Sequence, residues 1–331
     1  MKASYLNLHK NHQLKDRSEK LLNMLSSCEI CPRKCGVNRL ENKNSYCKSG
    51  RYAIISSYGV HNGEEPPISG NKGSGTIFFG NCNLKCVFCQ NHQISQEMKD
   101  TINHELTADK LANIMISLQN KGCHNINFVS PTHFIPQIVE ALVIAVELGL
   151  NIPLVYNSGG YDDANTLRML DGIFDIYMPD FKYGDSIYAE KYSDAKDYSK
   201  IAKNAIKEMY RQKGTLELNE DGIATKGLLI RHLILPENIS GTNKVIDFIA
   251  DELNKDTYVS LMSQYYPTYK ASDDKNGECN EINRTINHLE YERAENYFYK
   301  KGLENGWIQE LKESPFYYRP DFDKKAVFED W

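Results

Sequence analysis

The stretch GTIFFGNCNLKCVFCQ, residues 75–90, decides the reading of this chain. A strand-like segment, Gly75–Gly80, runs directly into Cys82, Cys86 and Cys89 at C-x3-C-x2-C spacing. A cubane iron–sulfur cluster has four irons, and in electron-transfer proteins four cysteines usually hold them. Three closely spaced thiols leave one iron without a protein ligand. That corner is open to a small molecule with an amine and a carboxylate, such as the methionine end of S-adenosylmethionine (SAM). A zinc clip, or spacing that arose by chance, is the competing explanation.

Working outward, the composition suits a large intracellular enzyme. The 331 residues are enough for one large core with an appendage. A net charge of −5 offers no basic surplus for nucleic acid. No apolar run approaches the ~20 residues needed to span a bilayer. The polar start MKASYLNLHKNHQLKDRSEK lacks the apolar stretch of a secretory signal. Nine cysteines in that context point to reduced thiols and metal ligands in the cytoplasm, and an odd number cannot all pair within the chain.

The sequence divides into three parts. Residues 1–70 are polar and cysteine-bearing, and close on the turn-rich NGEEPP at 62–67. Residues 71–269 alternate short apolar strands with amphipathic helices. Strands are expected at 76–79, 125–129, 153–156, 173–178, 227–233 and 258–262. Thr107 is placed to cap a helix reaching Leu118, and Pro136 to open the next, through Leu148. Further helices are expected at 164–170, 199–211 and 243–254. Six strand–helix units predict an α/β fold, a partial (β/α)6 TIM-like barrel with parallel strands. Chemistry in such a barrel gathers at the carboxyl ends of the strands, where the cysteine run lies. Residues 270–331 form a charged, tyrosine-rich extension with a helix near 286–303.

Longer strings narrow the reading. CPRKCGVNR at 31–39, GTIFFGNCNLKCVFCQNHQIS at 75–95, YNSGGYD at 156–162, DIYMPDFKY at 175–183, IRHLILPEN at 230–238 and MSQYYPTY at 262–269 carry a similarity that covers almost the whole chain. On these, the chain resembles the radical SAM superfamily, and within it the PflX-type homologues of pyruvate formate-lyase activating enzyme. The resemblance implies that Cys82, Cys86 and Cys89 hold a [4Fe-4S] cluster whose fourth iron chelates SAM. One electron would then cleave SAM to methionine and a 5′-deoxyadenosyl radical. It also implies that Phe88 sits beside adenine, that Asn91 contacts SAM, and that Asn157, Ser158 and Gly159 approach it after the third strand. Asp180 and Lys182 would hold the ribose hydroxyls and the SAM carboxylate, or pair with each other. Arg231 would contact SAM; an arginine inside an apolar strand needs a partner in any case. His232 faces the other way, beneath a helix, and Gln264 and Tyr265 line the substrate side or fill core.

One element departs from the activating enzymes. Where they carry Gly-Gly-Glu-Pro after the second strand, this chain has Ser130, Pro131, Thr132 and His133. Ser130 and Thr132 supply hydroxyls for the SAM amino group, but that element holds no carboxylate. His133 is expected to cap the following helix, with a proton-donor role as the alternative.

Cys28, Cys31, Cys35 and Cys47 form a second set, C-x2-C-x3-C-x11-C. Four thiolates suit either a tetrahedral zinc site or an auxiliary [4Fe-4S] cluster, structural or electron-relaying. Arg33, Lys34 and Arg39 would lower the thiol pKa values. Cys123 is expected to be a small buried residue. By resemblance, a low-potential donor such as flavodoxin or ferredoxin supplies electrons. A glycyl radical enzyme is then the protein substrate, which the tyrosine-rich extension helps dock. Radical modification of another peptide or small molecule, and a non-catalytic iron–sulfur or zinc protein, are the alternatives.

Overall fold

A computed structural model describes residues 3–43, 45–274, 276–311 and Phe322. Among these residues ten strands build one sheet: β1 (Ala53–His61), β2 (Ser74–Phe79), β3 (Glu105–Leu106), β4 (Ile126–Val129), β5 (Leu154–Ser158), β6 (Ile176–Pro179), β7 (Glu217–Leu218), β8 (Ala224–Leu233), β9 (Tyr258–Met262) and β10 (Gly306–Ile308). The order is β10-β9-β8-β6-β5-β4-β2-β1-β3, with β7 paired to β8 off this path. From β2 to β10 along this order every neighbouring pair is parallel. The six expected strands are therefore the contiguous centre of a mostly parallel α/β sheet, in keeping with a TIM-like barrel.

Those central strands are apolar and short because helices cover their outer face. β2, β5 and β6 are buried at every residue. The helix Ile135–Glu147 packs against its neighbour Ala108–Asn120, which lies over β1, β2 and β4. Phe79, Phe128, Phe134, Phe174 and Tyr156 form a chain of ring contacts with centroids 4.9–6.2 Å apart. Deleting one such ring typically costs about 3–5 kcal/mol, so this stack fixes sheet against helix.

Several expectations need correction. β1 lies inside the stretch read as an amino-terminal region, yet it pairs antiparallel with β2 along most of its length. β10 adds a seventh parallel strand beyond the expected six. Thr107 occupies the N-cap position but its side chain makes no capping bond. The helix expected at 243–254 is an α-helix over Thr242–Asp247 that widens into a π-turn at Phe248–Leu253. The last expected helix is present as His288–Lys300. The rest of the tyrosine-rich extension, 312–321 and 323–331, lies outside the described residues.

The amino-terminal helices Tyr5–Lys10 and Gln13–Asn23 dock on the outside of the barrel. The Tyr5 hydroxyl donates to Ile152 O at 2.8 Å, and the Ser4 N–H donates to Asp175 Oδ1 at 2.8 Å. Leu14, Leu21 and Leu25 join the same core as the barrel residues. No helix among the described residues is long and apolar enough to cross a membrane.

Candidate active site

The cysteine run leaves β2 through Asn81, whose φ of +64° turns the chain sharply. Asn83 Nδ2 donates to Tyr161 O at 2.8 Å, and the Lys85 and Val87 N–H groups donate to Ser193 O and Tyr192 O at 3.0 and 2.8 Å. The loop is thus pinned from outside, with its sulfurs turned toward polar partners. Ser193 Oγ donates to Cys86 Sγ at 3.0 Å, the Ser95 hydroxyl lies 3.2 Å from Cys89 Sγ, and the Leu84 N–H points at Cys82 Sγ from 3.4 Å. Such outer partners orient thiolate ligands and tune their basicity. Burial pushes the Cys82 thiol up to about 11 and the Cys89 thiol to about 12, with the neighbouring thiols adding to both. Metal loading must displace those protons.

All three thiols open on one cavity of about 500 Å3, within the size range of small-molecule sites. Its walls come from the carboxyl ends of β4, β5, β6, β8 and β9 and from the cysteine loop. Three thiols on one short loop, beside a cavity rich in polar groups, fit a cluster that the protein ligates at three corners only. Phe88 is buried there, edge-on to Tyr183 and Tyr265 at 6.5 and 5.7 Å. Asn91 lines the cavity and makes no side-chain cap at the short helix His92–Ser95.

The polar wall is an ion network. Arg231 Nε donates to Asp180 Oδ1 at 2.8 Å and Nη2 to Asn157 Oδ1 at 2.7 Å. Lys182 Nζ reaches Asp180 Oδ2 at 2.6 Å, so Asp180 and Lys182 do pair. Burial opposes ionisation of Asp180, yet Arg231 and Lys182 hold its carboxyl below the ordinary value. Burial likewise works against the Arg231 charge, and the carboxylates of Asp180, Glu65 and Glu64 outweigh it. The Tyr198 hydroxyl bridges the carbonyls of Gly159 and Asp180 at 2.8 and 2.9 Å. Gly160 has φ +76°, and a Cβ there would stand 2.1 Å from Asp180 O, so only glycine allows β5 and β6 to end this close together.

Not every expected residue reaches the cavity. Ser130 does, from a left-handed turn at φ +57°. Thr132 does not line it: its hydroxyl donates to buried Asp162 Oδ1 at 2.7 Å. Asp162 also accepts from the Tyr156 and Ser158 hydroxyls at 2.8 and 2.6 Å, so Ser158 is committed to the same carboxyl. Asp162 is a positioning residue that sequence reading passed over inside YNSGGYD. His133 does not cap a helix. Its Nε2 lies 3.0 Å from Gly80 O, and burial lowers its pKa to about 3, which makes that nitrogen a neutral donor. His232 meets expectation, held between Phe181 O and the hydroxyl of Thr242.

Glu64 and Glu65 went unnoticed in a turn-rich string with no strand or helix pattern. The segment carrying them folds under the amino ends of the strands, where Asn125 Nδ2 donates to Ile68 O at 2.8 Å. Ile68 packs against Val155, Ile176, Met178 and Leu229 within the sheet's second core cluster. Above it, Glu64 Oε1 accepts from Asn127 Nδ2 at 3.0 Å, and Glu64 Oε2 lies 3.5 Å from Arg231 Nη1. The cavity therefore does hold carboxylates beyond Asp180, from a segment that precedes the barrel.

The second cysteine set also comes together. Cys28, Cys31, Cys35 and Cys47 ring a space of about 10 Å3 beside Arg39 and His133. Left-handed turns at Lys34 and Gly36 wrap the chain around it. Among the described residues no three His, Cys, Asp or Glu side chains, in this set or in the cysteine run, are gathered as a single-ion site. The expected drop in thiol pKa is not found at Cys31, which burial pushes up to about 12. Cys123 and Cys279 are both buried, apart from either set.

Residues 76–248 match the radical SAM superfamily. The chain is 35% identical over 279 residues to "Uncharacterized protein MJ0674" of Methanocaldococcus jannaschii, covering 82% of this chain and 74% of that protein. It is 27% identical over 272 residues to "Uncharacterized protein MJ0808" of the same organism, covering 77% and 75%. A match that takes in the cysteine run and five of the parallel strands makes this chain a member of the radical SAM superfamily, an enzyme family whose cofactors are a [4Fe-4S] cluster and SAM.

Proposed function

We propose that this enzyme abstracts hydrogen from a protein or peptide substrate, in the manner of the PflX-type homologues of pyruvate formate-lyase activating enzyme. One observation carries the reading: the three-thiol loop at the end of β2 opens on a cavity with a charged wall, lined from the ends of five further parallel strands. Cys82, Cys86 and Cys89 are the cluster ligands. Bound there and reduced by a donor such as flavodoxin or ferredoxin, the cluster and SAM supply a 5′-deoxyadenosyl radical.

The protein's own groups bind, orient and exclude water. Phe88, backed by Tyr183 and Tyr265, is an apolar face for adenine. Asp180 and Lys182 offer one acceptor and one cation for the ribose and the carboxylate of SAM. Asn91, Ser130, Asn157 and Gly159 are its further polar and backbone neighbours, and Arg231 holds Asn157 and Asp180 in register. Thr132 acts at one remove, through Asp162, while Ser158 lines the cavity and donates to the same carboxyl. Activation of a glycyl radical enzyme is the resemblance-based form of this function. The small-molecule size of the cavity supports modification of another peptide or small molecule as a second form.

Anaerobically reconstituted, reduced protein given SAM should form 5′-deoxyadenosine, and a Cys86→Ser variant should not. Product from both, or from neither at full cluster loading with a hydrogen donor present, would sink the reading. Incubation with a glycyl radical enzyme should then give a persistent protein radical signal. Deuterium transfer from some other donor into 5′-deoxyadenosine would select the second form instead.

A further inference from the structure

The floor of the cavity carries more carboxyl groups than it has cations to pair with them. Glu64, Glu65 and Asp180 face the cations Arg231 and Lys182, of which Lys182 pairs with Asp180; His61 also stands near Glu65, its pKa lowered by burial to about 4. The Glu64 and Glu65 side chains are only 8% and 9% exposed. Glu65 Oε2 has no hydrogen-bond partner among the described residues; the Arg231 guanidinium stands 3.9 Å away. Both glutamates line the cavity, on a segment entering from the amino ends of the strands, whereas the cysteine run closes the carboxyl ends. Apolar groups of Leu233, Met262 and Trp307 line the same cavity.

We propose that Glu65, with Glu64 beside it, is a subsite for a cationic group, a primary ammonium or guanidinium on an aliphatic stem, of the molecule that gives up hydrogen. This rests on the radical SAM reading of the same cavity. A buried carboxylate oxygen without a donor is costly, and a charged N–H group is the strongest donor that could meet it. Burial holds both glutamate carboxyls above the ordinary range, and an arriving cation restores the ionised pair. Glu64 is tied to Asn127 in the middle of β4, below Ser130, which separates this subsite from the SAM amino group expected at the strand's carboxyl end.

The test uses the full chain, cluster-loaded and saturated with SAM. N-acetyl-lysine amide, N-acetyl-arginine amide and spermidine are compared with the neutral N-acetyl-norleucine amide by ligand-observed NMR titration. The cationic probes should bind at least tenfold more tightly than the neutral one, and Glu65→Gln should bring that ratio close to one while the thermal melt shows an intact fold. Glu64→Gln, which leaves Glu65 charged, should reduce the ratio less. Equal binding of lysine and norleucine probes, no binding by any cation, or an unchanged ratio in both variants would overturn the proposal. So would a matching fall in SAM affinity in Glu65→Gln, which would place the carboxylate on the ammonium of SAM itself. Failure of the radical reading shows separately, as wild-type protein that binds the cations but makes no 5′-deoxyadenosine under any donor.

Discussion

Arg231 meets three carboxylates, those of Asp180, Glu64 and Glu65. It joins Asp180 and Asn157 at the carboxyl ends of the strands to Glu64 and Glu65 on the floor. Arg231→Met would keep much of the volume and strand the carboxylates. Breaking a buried ion network by removing one partner typically costs about 3–5 kcal/mol, and urea unfolding of the variant should show a loss of that order at pH 7. The penalty also has a pH signature. Arg231 holds the Asp180 pKa below its ordinary value and limits the burial-driven rise at Glu64 and Glu65, so without the guanidinium all three shift upward and destabilisation should shrink as pH falls through the carboxylate range. A loss independent of pH between 4 and 7 would mean that packing, not charge, is what Arg231 supplies. Half of this network was readable in advance. An arginine inside an apolar strand demands a partner, and Asp180 stands out in DIYMPDFKY. Glu64 and Glu65 sit in NGEEPP, where two acids look like a solvated turn, and only the pairing of β1 beside β2 carries them under the sheet.

At the scale of elements, the helix His288–Lys300 shows how much local chemistry fixes. Asn287 accepts from the Glu290 N–H, the Glu290 carboxylate accepts from the Asn287 N–H, and the two form a capping box. Arg284 then grips the Glu290 carboxylate from both guanidinium nitrogens at 2.7 and 2.9 Å. Arg284 first, with the backbone N–H groups of Asn287 and Glu237, holds the Glu290 pKa down at about 2 despite some burial. A depressed acid stabilises the fold above its unfolded pKa and loses that contribution as pH falls toward the folded value. Glu290→Gln should therefore cost about 1–2 kcal/mol at pH 7 in thermal melts, and the gap to wild type should close between about pH 4 and pH 2. A constant gap across that range would remove the ion pair from the account. This helix was legible from its pattern, as were all six central strands, whose short apolar runs alternate with amphipathic helices. β1 and β10 were not. β1 mixes serines with apolar residues, and β10 is three residues long, so each is defined by the neighbour it pairs with.

Taken whole, the molecule couples its two cysteine sets through arginines. Arg39, almost fully buried, donates to His133 O at 2.8 Å and Gly50 O at 3.1 Å while its Nη1 lies 3.8 Å from Cys28 Sγ. Arg33 donates to Asn83 O at 3.0 Å, inside the three-cysteine run, and to Asp194 O beside it. Lys85 lies within electrostatic reach of both Cys82 and Cys47. The amino-terminal loop therefore braces the loop that presents Cys82, while the support of Cys86 and Cys89 comes from Ser193 and Ser95. An asymmetry follows if Cys28, Cys31, Cys35 and Cys47 hold zinc or an auxiliary [4Fe-4S] cluster. Replacing Cys82, Cys86 and Cys89 by serine should remove about four irons per chain and leave the second centre in place. Replacing Cys31 and Cys35 should remove the second centre, lower the melting temperature, and also loosen iron at the intact triplet, because Arg33 lies between the two replaced residues. Iron and zinc per chain, measured on both variants purified without oxygen, decide the matter and identify the second metal at once. Loss of all metal from the triplet variant alone would leave one site where two are proposed. Full iron retention at the triplet after the second centre is emptied would show that the arginine brace holds without metal.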